Sequence, residues 1–152
     1  MLFACALAGC NGPVNAAGSY SVALTDKTNA CALSGWTEGS MLTNIGVTLT
    51  QQDDNVTAIV NGVAGASLVL SIGSSTFTGK VNGQSLDLMV YGTRQATTDA
   101  CTYTFNAELD ATLIGDLLSG TIHYRPATAG TCDAAFKSCS NDQDFNGTRP
   151  PT

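Results

Sequence analysis

The sequence predicts an all-β domain: an antiparallel up-and-down meander of about eight strands, closed or nearly closed into a barrel and stapled by disulfides, with a β-sandwich as the alternative. Three observations predict it. The first is strict alternation in the stretch Cys101 to Arg125. Tyr103, Phe105, Ala107, Leu109, Ala111 and Leu113 fall on one face, and Thr102, Thr104, Asn106, Glu108, Asp110 and Thr112 on the other. Successive strand side chains point to opposite faces, so this pattern gives one dry and one wet face. After a Gly115-Asp116 turn, Gly120, Ile122 and Tyr124 repeat the dry face on the way back. The second observation is the recurrence of Asn-Gly and Asp/Gly turns between short alternating runs, the strongest local signal of hairpins. The third is composition. Only 12% of the 152 residues are charged, so Ser, Thr and Asn must supply the wet faces, and six cysteines are present. A chain of this length suits one core.

Taken in order, the chain opens with the apolar run Met1-Leu2-Phe3-Ala4-Cys5-Ala6-Leu7-Ala8-Gly9-Cys10, too short to span a bilayer and read as the end of a secretory signal. Within it, Leu7-Ala8-Gly9-Cys10 resembles the lipobox of bacterial lipoproteins. The resemblance covers these four positions, and an ordinary signal peptide with a chance cysteine is the alternative. It implies a diacylglycerol on Cys10, which becomes the first residue of the mature chain, and a membrane partner reached through that anchor. Asn11 stands where enteric lipoproteins retained in the inner membrane carry Asp, so the likeness leans towards the outer membrane of a bacterial envelope. The expected organisation is a signal remnant over 1–9, a lipidated tether over 10–18, one β domain over 19–149 and a disordered tail over 150–152.

The first strand is expected near Ser19–Thr25, with Tyr20, Val22 and Leu24 inward. Asp26 to Ile45 holds Cys31 and Trp36 without a clear period, and reads as a capping loop with room for a short helix. A regular meander follows. Its inward sets are Val47 and Leu49; Val56, Ala58 and Val60; Leu68, Leu70 and Ile72; Phe77, Gly79 and Val81; and Leu86, Leu88 and Val90. Turns fall at Asp53-Asp54-Asn55, Asn61-Gly62, Gly73-Ser74-Ser75 and Asn82-Gly83. The long hairpin supplies strands seven and eight. An irregular segment then lies between Cys132 and Cys139, and Phe145 begins a last short strand.

Beside an export signal, four body cysteines read as a disulfide framework with three possible connectivities. Cys101 begins strand seven and Cys132 follows its partner strand, so both lie at one end of the hairpin, within bridging distance. That favours Cys101–Cys132, and by elimination Cys31–Cys139. Local Cys132–Cys139 closure with Cys31–Cys101 is the competing pattern. A zinc site is disfavoured because no Cys-x-x-Cys pair occurs.

The net charge of −6 excludes a cationic footprint for nucleic acid. No cofactor is implied. His123, the one histidine, is expected on the wet face of its strand without a nucleophile beside it. Glu108, Asp110 and Asp87 are acidic but expected on a convex outer surface, where a glycosidase pair would need a cleft. Asp142-Gln143-Asp144-Phe145-Asn146-Gly147 resembles the first half of an EF-hand calcium loop, making Asp142, Asp144 and Asn146 candidate ligands and a solvated turn the alternative. The inward set is apolar, with small residues that either fit the taper or leave room for a ligand; lipocalin-type barrels are an architectural likeness only. Tyr20, Tyr103, Tyr124, Phe77 and Phe105 are the candidate contacts for an apolar ligand. The functional expectation is a non-catalytic structural or partner-binding module, with a carrier of a small apolar ligand second and an enzyme third. A cavity of about 300 Å³ or more with a polar mouth would favour the carrier. A filled interior with an exposed apolar or aromatic patch around Trp36 would favour the partner-binding module.

Overall fold

The computed structural model describes residues 12–150, so the lipobox and Cys10 lie outside the described residues. The strands are β1 Gly18–Asn29, β2 Met41–Gln52, β3 Asn55–Val60, β4 Thr76–Asn82, β5 Ser85–Val90, β6 Ala96–Thr98, β7 Cys101–Ile114, β8 Leu117–Gly130 and β9 Asn141–Thr148. Two helices interrupt them, α1 at Gly62–Ser71 and α2 at Ala134–Lys137. All pairings are antiparallel in the order β5-β4-β3-β2-β1-β9-β8-β7, and β5 pairs back onto β7 from Ser85↔Thr112 to Val90↔Ala107. That last ladder closes an eight-stranded barrel and decides against the sandwich. The short β6 pairs only with the start of β7, outside the closed ring. Closure removes the open edges that a meander would present to other chains.

The expected alternation lines the barrel interior. Tyr20, Val22, Leu49, Val56, Ala58, Phe77, Val81, Leu86, Leu88, Val90, Ala107, Leu113, Leu118, Ile122 and Phe145 form one buried core. Each large apolar side chain so buried contributes about 1.5–3 kcal/mol.

The largest departures of strand membership from the sequence expectation fall one in each half of the chain, and the short β6 forms within the polar stretch 94–100, expected as a loop. Leu68, Leu70 and Ile72 are not a strand; Leu68 and Leu70 belong to α1 and Ile72 caps it. In a helix, positions four apart share a face, so Ala64, Leu68 and Ile72 turn to the core while Val63 and Leu70 stay exposed. The eighth barrel strand is instead β9, whose alternation of Asn141, Gln143, Phe145 and Gly147 inward with Asp142, Asp144 and Asn146 outward runs through the calcium-like motif. It pairs with β1 on one side and β8 on the other.

The capping loop is shorter than expected and holds no helix. β1 continues through polar residues to Asn29 and β2 starts at Met41, leaving 30–40 as turns. The irregular segment between Cys132 and Cys139 contains α2, capped by the Asp133 carboxylate accepting from the Ala135 and Phe136 amides.

The segment read as a tether is seated on the barrel from Val14 onward. The Val14 amide donates to the Gly83 carbonyl at 2.9 Å, and Ala16 is fully buried with its amide on Gln51 Oε1 at 2.7 Å. Arg149 locks it, with Nε 2.8 Å from Asp116 Oδ1 and Nη1 2.8 Å from both the Asn15 and Ala17 carbonyls. This closes the barrel end that carries the β2–β3, β4–β5 and β7–β8 turns. The opposite end carries α1, the 30–40 loop and both disulfides, Cys31–Cys139 and Cys101–Cys132. This is the pairing that hairpin geometry favours.

Candidate ligand-binding site

A cavity of about 650 Å³ occupies the barrel interior. Strand alternation makes its walls: Leu49, Phe77, Leu86, Leu88, Leu118 and Phe145 line its apolar body. Ala58 lies across from Leu49 and Phe77 on the neighbouring strands and is the small residue of that row on the cavity wall. No charged side chain lines it.

The mouth arises from unequal strand lengths. β2 pairs with β3 only from Val47 to Gln52, while its first half is laddered to β1 alone. α1 stands over the resulting gap, tied to β2 by the Asn61 amide on the Gly46 carbonyl at 2.8 Å. Leu42, Thr43 and Asn44 face Val63, Ala64 and Ser67 around the opening, with Met41, Leu42 and Val63 exposed beside it. α1 sits close because residue 65 is glycine. A Cβ there would lie 2.0 Å from the Val60 carbonyl oxygen.

Polar chemistry enters the cavity at one point on its wall. Tyr124 Oη donates to Gln143 Oε1 at 2.7 Å, and Gln143 Nε2 donates to Asp26 Oδ1 at 2.6 Å. Burial pushes the Tyr124 hydroxyl well above its ordinary pKa, and the Asp26 charge adds to this, so it remains a neutral phenol. Trp36, from the 30–40 loop, packs edge-on against the Tyr124 ring at 5.8 Å between centroids. That loop is held by the Cys31–Cys139 bridge and by the fully buried Asn141, which accepts from the Cys31 amide at 2.9 Å and donates to Asn29 Oδ1 at 2.7 Å.

Of the five aromatic candidates, Phe77 and Tyr124 line the cavity; Tyr20, Tyr103 and Phe105 do not. Tyr20 donates to the Ala16 carbonyl at 3.0 Å under the Arg149 guanidinium, at the closed end. Tyr103 and Phe105 pack with Phe136 of α2 in a separate aromatic group where β7 and β8 run past the barrel.

The other candidates lie on the outer face. His123 is not freely solvated: Nδ1 donates to Asp142 Oδ1 at 2.7 Å, and Nε2 lies 3.6 Å from Asp110 Oδ2. Both ring nitrogens thus face carboxylates, and neither faces a nucleophile. Partial burial of Asp142 raises its pKa, but hydrogen bonds from His123 and Ser140 and the charges of His123 and Arg125 outweigh this and leave it lowered. Glu108 pairs with Arg125 at 2.6 Å, and Asp87 lies across from Asp110 in the β5–β7 ladder.

The calcium reading is corrected. Asp142, Asp144 and Asn146 lie along an extended strand, not around a loop that converges on one point, and neither is the segment a solvated turn. Asp142 serves His123, while Asp144 accepts from Thr121 at 3.0 Å and pairs with Lys27 at 3.4 Å. No group of three or more His, Cys, Asp or Glu suited to a metal occurs among the described residues.

Sequence reasoning missed Gln143, Asp26 and α1. Gln143 alternates with Phe145, so a strand reading of 141–148 places it inward at once. No protein-family model, curated protein or solved structure matches this chain.

Proposed function

We propose that this protein is a lipid-anchored envelope carrier whose barrel holds one small apolar ligand. The observation that supports it is the cavity of about 650 Å³ with apolar walls and a localised polar contact, the composition expected of a small-molecule site. A purely structural or partner-binding barrel would fill its interior with side chains, because voids cost packing energy and have no structural use. The aromatic residue best placed for a partner surface, Trp36, is turned onto Tyr124 instead. No catalytic step is assigned.

The anchor reading rests on Leu7-Ala8-Gly9-Cys10, with the outer membrane favoured by Asn11. Under it, the anchored chain holds the carrier near its source of apolar ligands. Native mass spectrometry of the Cys10→Ser chain, which has no lipidation site in the motif, tests the carrier. The expected spectrum has an adduct of one small molecule that is released on denaturation; a bare chain that also fails to bind a neutral apolar dye overturns the proposal. Metabolic labelling with an alkyne fatty acid tests the anchor, and label retained after Cys10→Ser argues against it.

A further inference from the structure

We propose that the cavity selects a ligand whose head group donates a hydrogen bond, a hydroxyl or an amine, and discriminates against a carboxylate. This deepens the carrier reading and rests on it. The argument is the direction of the Tyr124–Gln143–Asp26 relay. A carboxylate can only accept, so Asp26 at 2.6 Å fixes the Gln143 amide with its NH₂ towards Asp26. The amide oxygen must then face Tyr124, which donates its single proton to it at 2.7 Å. What Tyr124 has left for the cavity is lone pairs. Among the described residues no group donates to that oxygen, so a ligand that donates completes the network.

A fatty acid finds the opposite of what it needs. No Lys, Arg or His lines the cavity, and an ionised carboxylate buried without a cation or donors is strongly disfavoured. Of the neutral donors near the mouth, Thr43 and Asn44 make no side-chain hydrogen bond among the described residues, and neither supplies a charge; the others are each committed. Ser67 Oγ donates to the Val63 carbonyl at 3.0 Å, Ser71 Oγ to the Ser67 carbonyl at 2.9 Å, and Asn61 Nδ2 to Thr48 Oγ1 at 3.1 Å. The Asp26 charge behind Gln143 adds repulsion for an anion and attraction for an ammonium. The tail of such a ligand would lie against Leu86, Leu88 and Phe77.

The test uses matched twelve-carbon probes on the Cys10→Ser chain: dodecanol, dodecylamine, dodecanoate and dodecane. Each competes with the neutral dye N-phenylnaphthylamine at about pH 8, where the acid is ionised. Trp36 emission gives a second signal beside Tyr124. Dodecanol is expected to bind about tenfold tighter than dodecanoate, the worth of one net hydrogen bond plus the avoided desolvation. Dodecylamine, an ammonium at this pH, is expected to fall between them because the Asp26 charge offsets part of its desolvation. Tyr124→Phe should bring dodecanol down towards dodecane. Asp26→Asn gives a result that damage to the fold would not: Asn can donate, so Gln143 is free to turn over and release the Tyr124 proton. Dodecanoate binding should then rise while the alcohol preference shrinks. If dodecanoate binds the parent chain as tightly as dodecanol, or Asp26→Asn leaves the ranking unchanged, the head-group inference is overturned and the carrier reading stands. If neither the dye nor any probe binds, the carrier reading itself fails.

Discussion

Tyr124 is where the chemistry of this barrel concentrates, and its protonation state sets what the cavity wall offers. Burial and the Asp26 charge raise its pKa above the ordinary tyrosine value, so the folded state holds the proton more tightly than the unfolded chain. Its contribution is therefore complete below the ordinary tyrosine pKa near 10 and is lost as pH rises towards the folded value. Urea unfolding followed by circular dichroism should show stability falling on the alkaline side. Tyr124→Phe should flatten that fall while costing about 1–2 kcal/mol at neutral pH, because Gln143 Oε1 loses its donor. An unchanged alkaline limb would place the titration elsewhere. Tyr124 was legible as an inward residue because period two needs no partner to be recognised. Its partners were not, because Asp142-Gln143-Asp144 carries turn-like and ligand-like residues on a strand whose wet face happens to be acidic.

At the scale of elements, the end that carries the cavity mouth is assembled from pieces with little cohesion of their own, and the disulfides compensate. The 30–40 loop has turns but no ladder, and is held by Cys31–Cys139, by the Asn29–Asn141 contact, and by Leu33 N–H and Trp36 Nε1 donating to Asn29 Oδ1 and the Lys27 carbonyl. This bridge spans a sequence separation of 108, against 31 for Cys101–Cys132. Loop-closure entropy then assigns about 4–5 kcal/mol to the first and about 3–4 kcal/mol to the second. Replacing Cys31 and Cys139 by Ala should lower the urea midpoint more than replacing Cys101 and Cys132. Only the first pair should also red-shift Trp36 emission under native conditions, since only that bridge ties down the loop that carries the indole. Equal midpoint losses with no spectral difference would mean that the loop is held by other contacts. The cysteine pairing was readable because a hairpin puts its two ends together whatever the rest of the chain does. α1 was not, because three apolar residues at spacing two, Leu68, Leu70 and Ile72, fit a buried strand as well as a helix that leaves Leu70 in water. The ends of β1 and β2 escaped for a different reason. Thr25 to Asn29 bury no apolar row and are held in the sheet by backbone pairing to β2 and β9.

At the scale of the whole molecule, two closures of different character bound one interior. One end is sealed by Val14, Ala16 and the Arg149 clamp; the other is covered by α1, whose helix carries no charge and whose contact with β3 depends on the missing side chain at Gly65. An eight-stranded barrel is just wide enough for its own side chains to fill or to hold one small ligand. On the carrier reading, small residues such as Ala58 tip it to the second outcome, so the empty protein should be less stable than its sequence could make it. Ala58, 2% exposed and on the cavity wall, is the position to ask. Ala58→Leu adds three carbons on the cavity wall, and cavity filling of this kind commonly adds about 0.5–2 kcal/mol. Thermal unfolding of the ligand-free chain should rise by about 2–6 °C. Binding should move the other way. At a ligand concentration of 100 times Kd the parent chain gains about 2.7 kcal/mol. The Ala58→Leu chain should gain much less from dodecanol at the same concentration, because the leucine occupies the ligand's volume. Opposite signs in the two measurements are the mark of a cavity kept open for a ligand. If the leucine instead destabilises the free chain and leaves ligand stabilisation intact, the interior around Ala58 is already packed and the ligand lies elsewhere.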